Sequence, residues 1–412
     1  MKSTDLMFNI KKQATILTFQ LAFTIMRIFI CISTLLSLFI IFSCSDDDLE
    51  IKHISELQTY IQRNIPKQSV IAHRGTCIWA PENTEAAMRW ARNSGADYLE
   101  CDLQRTSDGY IVLYHDMTLQ SKSNVNTIFK NTNKIYISEF TLEELLKLDF
   151  GYWFNRDHSE YARESFYNSD ILTLEDLIMI CEGYKIKRDK NNRRIFKKIN
   201  NRIITEYEPD STDNGNRPGI YIEIKYQDLH KGIEQNIKDE LLRLGWYAHN
   251  SSELKEIRTK VGCVNTANTP ARVVVQTFST NTLKELNRVF NPIIPICRLI
   301  AENEKTKVDE KTYKKWINEA VKYNAVIIAP SINSDYPDNF LDLLQPWMYD
   351  LIKESGLLIH PFTFNKTTEI DYYKDMCDGY FCNDTYSAVK HLNKKNDLDF
   401  SSGENILNSL GY

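Results

Sequence analysis

The chain has 412 residues, with 50 lysines and arginines against 55 aspartates and glutamates and a formal net charge of −5. That length exceeds one ordinary domain and suits an α/β barrel of about 250 residues carrying insertions. The mixed, slightly acidic balance lacks the basic face that nucleic-acid binding usually needs, so no nucleic-acid partner is expected. Local basic runs such as Lys185–Lys198 read as solvated hairpin or loop.

Residues 14–43 are largely apolar, but Gln20 and Arg27 interrupt them. A charge in mid-bilayer is expensive, which disfavours one long spanning helix. The better parse starts at Met26, with Arg27 as a minimal basic region and Ile28–Phe42 as a secretory hydrophobic core. Residues 1–25 are then a candidate mis-assigned start. The core stops at Phe42-Ser43-Cys44, and Ser45-Asp46-Asp47-Asp48 follows. This resembles a bacterial lipoprotein signal, in which the cysteine, here Cys44, becomes the lipidated first residue. Phe42 is large for such a signal, and the alternative is an ordinary signal peptide or anchor with an incidental Cys44. On this reading residues 1–44 are an export segment and 45–67 a tether and entry helix. The protein is expected to be exported and lipid-anchored to a bacterial membrane, periplasmic or at the cell surface. Beyond Cys44 the chain has cysteines at 77, 101, 181, 263, 297, 377 and 382. Their number is odd and no spacing resembles a zinc site, so most read as small core residues, with a Cys377–Cys382 bridge open to an exported protein.

Eight apolar, β-rich runs follow: Ser69–His73, Asp97–Asp102, Ile220–Lys225, Arg272–Phe278, Ile293–Cys297, Ala325–Pro330, Leu357–Thr363 and Gly379–Asn383. Helix-length segments separate them, which predicts a closed parallel (β/α)8 TIM barrel over residues 68–392. An open doubly wound sheet is the alternative. Polar residues at the ends of the first three runs favour the barrel, whose active site lies at the C-terminal strand ends. Asn83 can cap a helix from Thr84 to Asn93 that Gly95 ends. Thr141-Leu142-Glu143-Glu144 and Thr173-Leu174-Glu175-Asp176 have capping-box spacing. Two stretches look inserted. Residues 117–169 directly follow His115-Asp116 and are a candidate lid or substrate-recognition arm. Residues 183–217 are highly charged and read as a peripheral hairpin around Asn200-Asn201. Residues 393–412 read as a polar tail.

The chemistry gathers between Val70 and Asp116. Alternate residues of a strand share a face, so Glu100 and Asp102 point together while Cys101 points away. Two carboxylates in one barrel mouth repel each other unless a cation joins them, and oxygen-only ligation suits one Ca²⁺ or Mg²⁺. Glu223 and Lys225 repeat the spacing; Glu223 can complete the metal site and Lys225 can face a phosphate. The alternative is a buried ion-pair cluster that merely stabilises the barrel. Asp108-Gly109 is a two-residue hairpin signal that makes an antiparallel arm and sets Asp102 opposite His115. His73 ends its strand, Arg74 can grip two phosphate oxygens through its planar fork, and Gly75 permits close backbone approach. Two imidazoles beside a phosphodiester can deprotonate the nucleophile and protonate the leaving alkoxide. Glu82 and Asn83 read equally as capping or supporting residues and as ligand contacts.

These residues resemble the glycerophosphodiester phosphodiesterase family. The matching pieces are His73-Arg74-Gly75, Pro81-Glu82-Asn83-Thr84, Glu100-x-Asp102, Asp108-Gly109 with His115-Asp116, and Glu223-Ile224-Lys225. Weaker matches follow at Gln276-Thr277-Phe278, Phe362-Thr363-Phe364-Asn365 and Asp378-Gly379-Tyr380. The resemblance implies a (β/α)8 barrel that hydrolyses a small-molecule glycerophosphodiester to an alcohol and glycerol 3-phosphate. It implies His73 and His115 as the acid/base pair and a divalent cation on Glu100, Asp102 and Glu223. The substrate's own glycerol hydroxyl can attack first in such enzymes, giving a cyclic phosphate that water opens. Phe362 stands where the family usually has tryptophan, and Asn383-Asp384 replaces its usual Thr-Asp. The alternatives are a related barrel phospholipase of the lysophospholipase D or sphingomyelinase D type, and a non-catalytic surface binding lipoprotein. No protein partner is inferred.

Overall fold

The structure is a computed structural model of the chain, and it describes residues 49–248, 253–290, 294–303, 306–333, 340–394 and 401–412. Cys44 and the export segment lie outside the described residues. In chain order the strands are β1 (Ser69–Ala72), β2 (Tyr98–Arg105), β3 (Ile111–Leu113), β4 (Tyr184–Ile186), β5 (Phe196–Ile199), β6 (Arg202–Thr205), β7 (Tyr207–Pro209), β8 (Gly219–Ile224), β9 (Val273–Thr277), β10 (Ile296–Ile300), β11 (Ile327–Pro330), β12 (Leu358–Ile359) and β13 (Gly379–Cys382). Eight of these are parallel, in the order β12-β11-β10-β9-β8-β2-β1-β13. The last gap is bridged by hydrogen bonds. Asp378 N–H donates to Ile359 O at 2.8 Å, Phe364 N–H to Phe381 O at 2.7 Å, and Asn383 N–H to Phe364 O at 3.0 Å. The result is a nearly closed α/β barrel, as the eight apolar runs predict.

Apart from the short β12, where Leu358 is half-buried, these strands are buried on both faces, which is why they read as near-continuous apolar runs. Ile71, Tyr98, Tyr221, Val274, Cys297, Ile327 and Phe381 point inward and form the barrel interior. A helix over Glu56–Gln62 packs against the barrel, with Ile61 and Ile65 joining the same interior cluster. The Gln58 and Gln62 amides donate to Ala325 O and Val326 O, immediately before β11. β10 runs on past the expected run Ile293–Cys297 to Ile300, and Ile293 lies outside the described residues. Pro295 precedes the strand: it has no N–H to donate, and its carbonyl accepts from Val275 N–H of β9 at 3.0 Å.

Three further expectations are corrected. The hairpin after β2 closes through three residues, not two: Thr106 N–H bonds Tyr110 O, and Gly109 takes φ +90°. The pairing is therefore Leu103 with Leu113, and Tyr114 N–H bonds Asp102 O, one residue off the predicted register. The helix Glu85–Ser94 is capped by Thr84, not Asn83. Residues 401–412 are not a polar tail. A helix over Gly403–Leu410 buries Ile406, Leu407 and Leu410, and Trp90 Nε1 donates to Gly403 O at 2.8 Å. Its apolar positions recur at helical spacing within a polar-looking composition, which hides the buried stripe. The charged 183–217 stretch pairs β4 with β7 and folds β5 onto β6 about Asn200-Asn201, both at positive φ. All seven cysteines among the described residues are free, so Cys377 and Cys382 are not bridged. No helix among the described residues is long and apolar enough to cross a membrane.

Candidate active site

The site is built where β1, β2, β8, β9 and β13 end. Glu100 and Asp102 share the inward face of β2, and the parallel register sets Asp102 level with Glu223 on β8. The three carboxylates are buried, and one oxygen of each lies within 4.8 Å of the others. His73 and Arg74 follow β1 directly. The turn there is tight: Arg74 is at φ +52° and Gly75 at +81°. A Cβ at Gly75 would meet the Ala87 backbone at 2.7 Å, so only glycine lets the turn lie this close to the Glu85–Ser94 helix.

This turn aims Arg74 at the acids. Its backbone N–H donates to Glu100 at 2.7 Å, Nη1 to Glu82 at 3.0 Å, and Nε lies 3.4 Å from Asp102. Lys225 sits 2.7 Å from Glu223 and 3.3 Å from Asp102. Asn83, also left-handed, donates its amide to Asp102 at 3.0 Å, and Gln276 on β9 donates to Glu100 at 3.1 Å. Burial opposes ionisation of Asp102, but Lys225, His115 and Arg74 together hold its carboxyl well below the usual range. Glu100 goes the other way. Burial and the neighbouring Asp102 and Glu223 charges push it well above the usual range.

Both histidines lie beside this cluster. His73 Nδ1 lies 2.8 Å from Asn383 Oδ1, whose amide nitrogen donates to Asn365 at 2.7 Å. Asn383 Oδ1 is thereby the acceptor, which puts the proton on His73 Nδ1 and leaves Nε2 with a lone pair. Burial, aided by the Arg74 charge, lowers the His73 imidazole from 6.5 to about 3, so it is neutral near pH 7. His115 lies two residues beyond β3, where the strand's alternation no longer fixes its direction. It still feels Glu82 and Asp102 despite the register shift. Its Nδ1 is 2.8 Å from Asp116 Oδ1.

The profile of the Glycerophosphoryl diester phosphodiesterase family matches residues 73–213, from His73 into the second insertion. Over that stretch the chain is similar to this family. A glycerophosphodiester phosphodiesterase of Bacillus subtilis is 24% identical over 327 residues, covering 79% of this chain and 86% of the relative. One from Haemophilus influenzae is 26% identical, covering 79% of this chain and 84% of its own. Among solved structures, a Silicibacter pomeroyi protein carrying the same family name superposes with a TM-score of 0.53 at 17% identity, over 82% of this chain and 97% of its own. An Oleispira antarctica phosphodiesterase, solved in complex with the product sn-glycerol-3-phosphate, gives 0.50 at 18% identity, over 79% of this chain and 97% of its own. At these identities the structural likeness speaks for the barrel.

The donor set of the site fits a hard divalent cation. Five carboxylates (Glu82, Glu100, Asp102, Asp116, Glu223) face three fixed cations (Arg74, Lys122, Lys225), and the like-charge crowding that raises Glu100 is what a bound cation would relieve. Asn83 Oδ1 and Gln276 Oε1, both beside the carboxylates, are buried without a hydrogen-bond partner. Oxygen-rich, crowded with carboxylates and under-satisfied, the cluster offers what Ca²⁺ or Mg²⁺ needs.

Sequence reasoning missed three contributors. Asn383 orients His73 from 310 residues away and Gln276 reaches Glu100 from another strand; both positions stand in the motif matches, but nothing local gives these partners. Lys122 lies in the first insertion and sits 2.6 Å from Glu82 and 3.5 Å from Asp116. A single lysine in a polar loop carries no pattern to find it by.

Proposed function

We propose that this chain hydrolyses glycerophosphodiesters to an alcohol and glycerol 3-phosphate, with one divalent cation on Glu100, Asp102 and Glu223 and with His73 and His115 as the base and acid. The observation that carries this is the convergence of two differently oriented imidazoles on one buried carboxylate triad.

His73 is neutral, with its Nδ1–H engaged by Asn383, and accepts a proton at Nε2 from the attacking hydroxyl. That hydroxyl is the substrate's glycerol oxygen or a water. Its new P–O bond forms as the P–O bond to the alcohol breaks. His115, oriented by Asp116, returns a proton to the departing alkoxide. If the glycerol oxygen attacks, water opens the resulting cyclic phosphate with the two imidazoles exchanging roles. Arg74 and Lys225 place positive charge where phosphoryl oxygens must sit, and Asp102 holds both in position. A bound Ca²⁺ or Mg²⁺ supplies Lewis-acid stabilisation of charge developing on the phosphoryl oxygens.

Phe278 is 38% exposed and stacks edge-on against Phe362 at 5.7 Å, which in turn meets Phe340 and Phe381. The Lys225 ammonium lies 5.9 Å from the Phe278 ring centroid. This apolar wall beside the phosphate cation is what favours a second substrate class, a lysophospholipid. Export and lipid anchoring through Cys44 complete the reading, on the strength of the apolar core that stops at that cysteine before an acidic tether. The test is release of glycerol 3-phosphate from glycerophosphocholine and glycerophosphoethanolamine, and of choline from lysophosphatidylcholine, with Ca²⁺ or Mg²⁺ and after chelation. Cleavage of the glycerophosphodiesters that stops on chelation supports the proposal. Turnover of the lysophospholipid alone transfers it to the second class, and chelator-insensitive turnover removes the metal.

A further inference from the structure

The first insertion delivers a lysine to a place where a metal would otherwise fit. Glu82, His115 and Asp116 each present a ligand atom, all within 4.8 Å of one another, a second metal-capable group beside the Glu100–Asp102–Glu223 triad. The Lys122 ammonium already occupies it, at 2.6 Å from Glu82 Oε1 and 3.5 Å from Asp116 Oδ1. These two acids serve opposite halves of the site. Glu82 grips Arg74 at 3.0 Å through its other oxygen, and the same Oδ1 of Asp116 orients His115 at 2.8 Å.

The insertion is built to hold this side chain still. Lys122 Nζ lies 5.1 Å from the Trp153 ring centroid, so a second element of the insertion covers it. Tyr152 donates its hydroxyl to Ser123 O at 3.3 Å, and Asp149 N–H donates to Asn124 Oδ1 at 2.9 Å, which pins the backbone just after Lys122. The Lys122 side chain is only 18% exposed. A surface lysine would gain little from such an arrangement, because exposed ion pairs are worth little and cost side-chain entropy.

We propose that Lys122 is a built-in cation and a positioning residue: it couples the acid that holds Arg74 to the acid that orients His115, and it keeps a second divalent ion out of that group. This rests on the diesterase reading for its kinetic consequence but not for its ion count. The phosphate-gripping and proton-donating halves are thereby locked in one geometry before substrate arrives, and an angstrom of misplacement there is costly.

The experiment uses the full chain, with Lys122→Met and Lys122→Arg compared and Lys122→Gln as a second neutral variant should the methionine protein fail to fold. Mn²⁺ bound to each protein is counted by electron paramagnetic resonance without substrate. Steady-state constants are measured on glycerophosphocholine. One ion is expected for wild type and Lys122→Arg, and two for the neutral variants. The neutral variants should lose about 10²-fold in kcat with KM little changed, and Lys122→Arg should recover most of it. An unchanged ion count in both neutral variants overturns the cation-exclusion half. Wild-type kcat in them, or an equal loss in Lys122→Arg, overturns the positioning half. A wild type inert on glycerophosphocholine sinks the diesterase reading instead, and the ion count still decides the exclusion claim.

Discussion

Lowering the pH to 5 separates His73 from an ordinary histidine. At that pH a histidine with the usual value near 6.5 is about 97% protonated. Burial, helped by the Arg74 guanidinium, drops the His73 imidazole to about 3, outweighing the Asn383 hydrogen bond and the Asp102 and Glu82 charges. It should therefore be only about 1% protonated at pH 5. Long-range ¹H–¹⁵N spectra of imidazole-labelled protein read this directly. The expected signal is the neutral tautomer with its proton on Nδ1, unchanged from pH 8 to pH 5. The same depression sets a stability trend. The folded value lies below the unfolded one, so between about 6.5 and about 3 the unfolded chain binds the extra proton. The native state therefore keeps its full advantage above pH 6.5 and loses it as the pH falls through that window. At pH 5 the loss is about 2 kcal/mol from this residue, from 1.4 kcal/mol per unit over one and a half units. Urea unfolding at pH 7 and pH 5 should show wild type losing about that much more than His73→Gln. A His73 titration midpoint between 6 and 7, or an Nε2-protonated tautomer, would refute the assignment of His73 as a pre-set base.

Three further outcomes follow from named contacts. Asn383→Ala removes the acceptor that fixes the His73 tautomer; kcat should fall by about 10-fold to 10²-fold, and a wild-type kcat would show that the tautomer is set elsewhere. Deleting residues 401–412 strips the Ile406, Leu407 and Leu410 side chains from the core, about 2 kcal/mol each and together near the whole stability of a typical domain. The truncated chain should be insoluble or melt far below wild type, and an unchanged melting temperature would mean this helix is dispensable. Cys44→Ala should release the protein from the membrane fraction, and retention there would contradict the lipid tether.

The sequence carried the barrel well because buried parallel strands are apolar on both faces and need no register to be recognised. Glu100 and Asp102 were legible for a related reason: strand alternation puts them on one face wherever the strand pairs. The hairpin was harder. Asp108-Gly109 signalled a turn, but the Thr106 hydroxyl bonds Tyr110 N–H and Asp108, which widens the loop by one residue and slips the register. His115 survives that slip because it lies beyond the paired strand. Asn83 looked like a cap, yet its left-handed backbone turns its amide to Asp102 and leaves capping to Thr84. Contacts between distant loops stayed invisible. Lys122 to Glu82, Asn383 to His73 and the terminal helix on Trp90 depend on the closed barrel, and no local periodicity encodes them.

The central claim is that two imidazoles turn over a glycerophosphodiester. A ³¹P NMR time course on glycerophosphocholine, run with wild type, His73→Ala and His115→Ala at matched Mg²⁺, tests it most directly. The account predicts conversion to glycerol 3-phosphate by wild type and at least about 10²-fold slower conversion by each variant. Either variant matching the wild-type rate, or a wild type that leaves glycerophosphocholine intact, would contradict it.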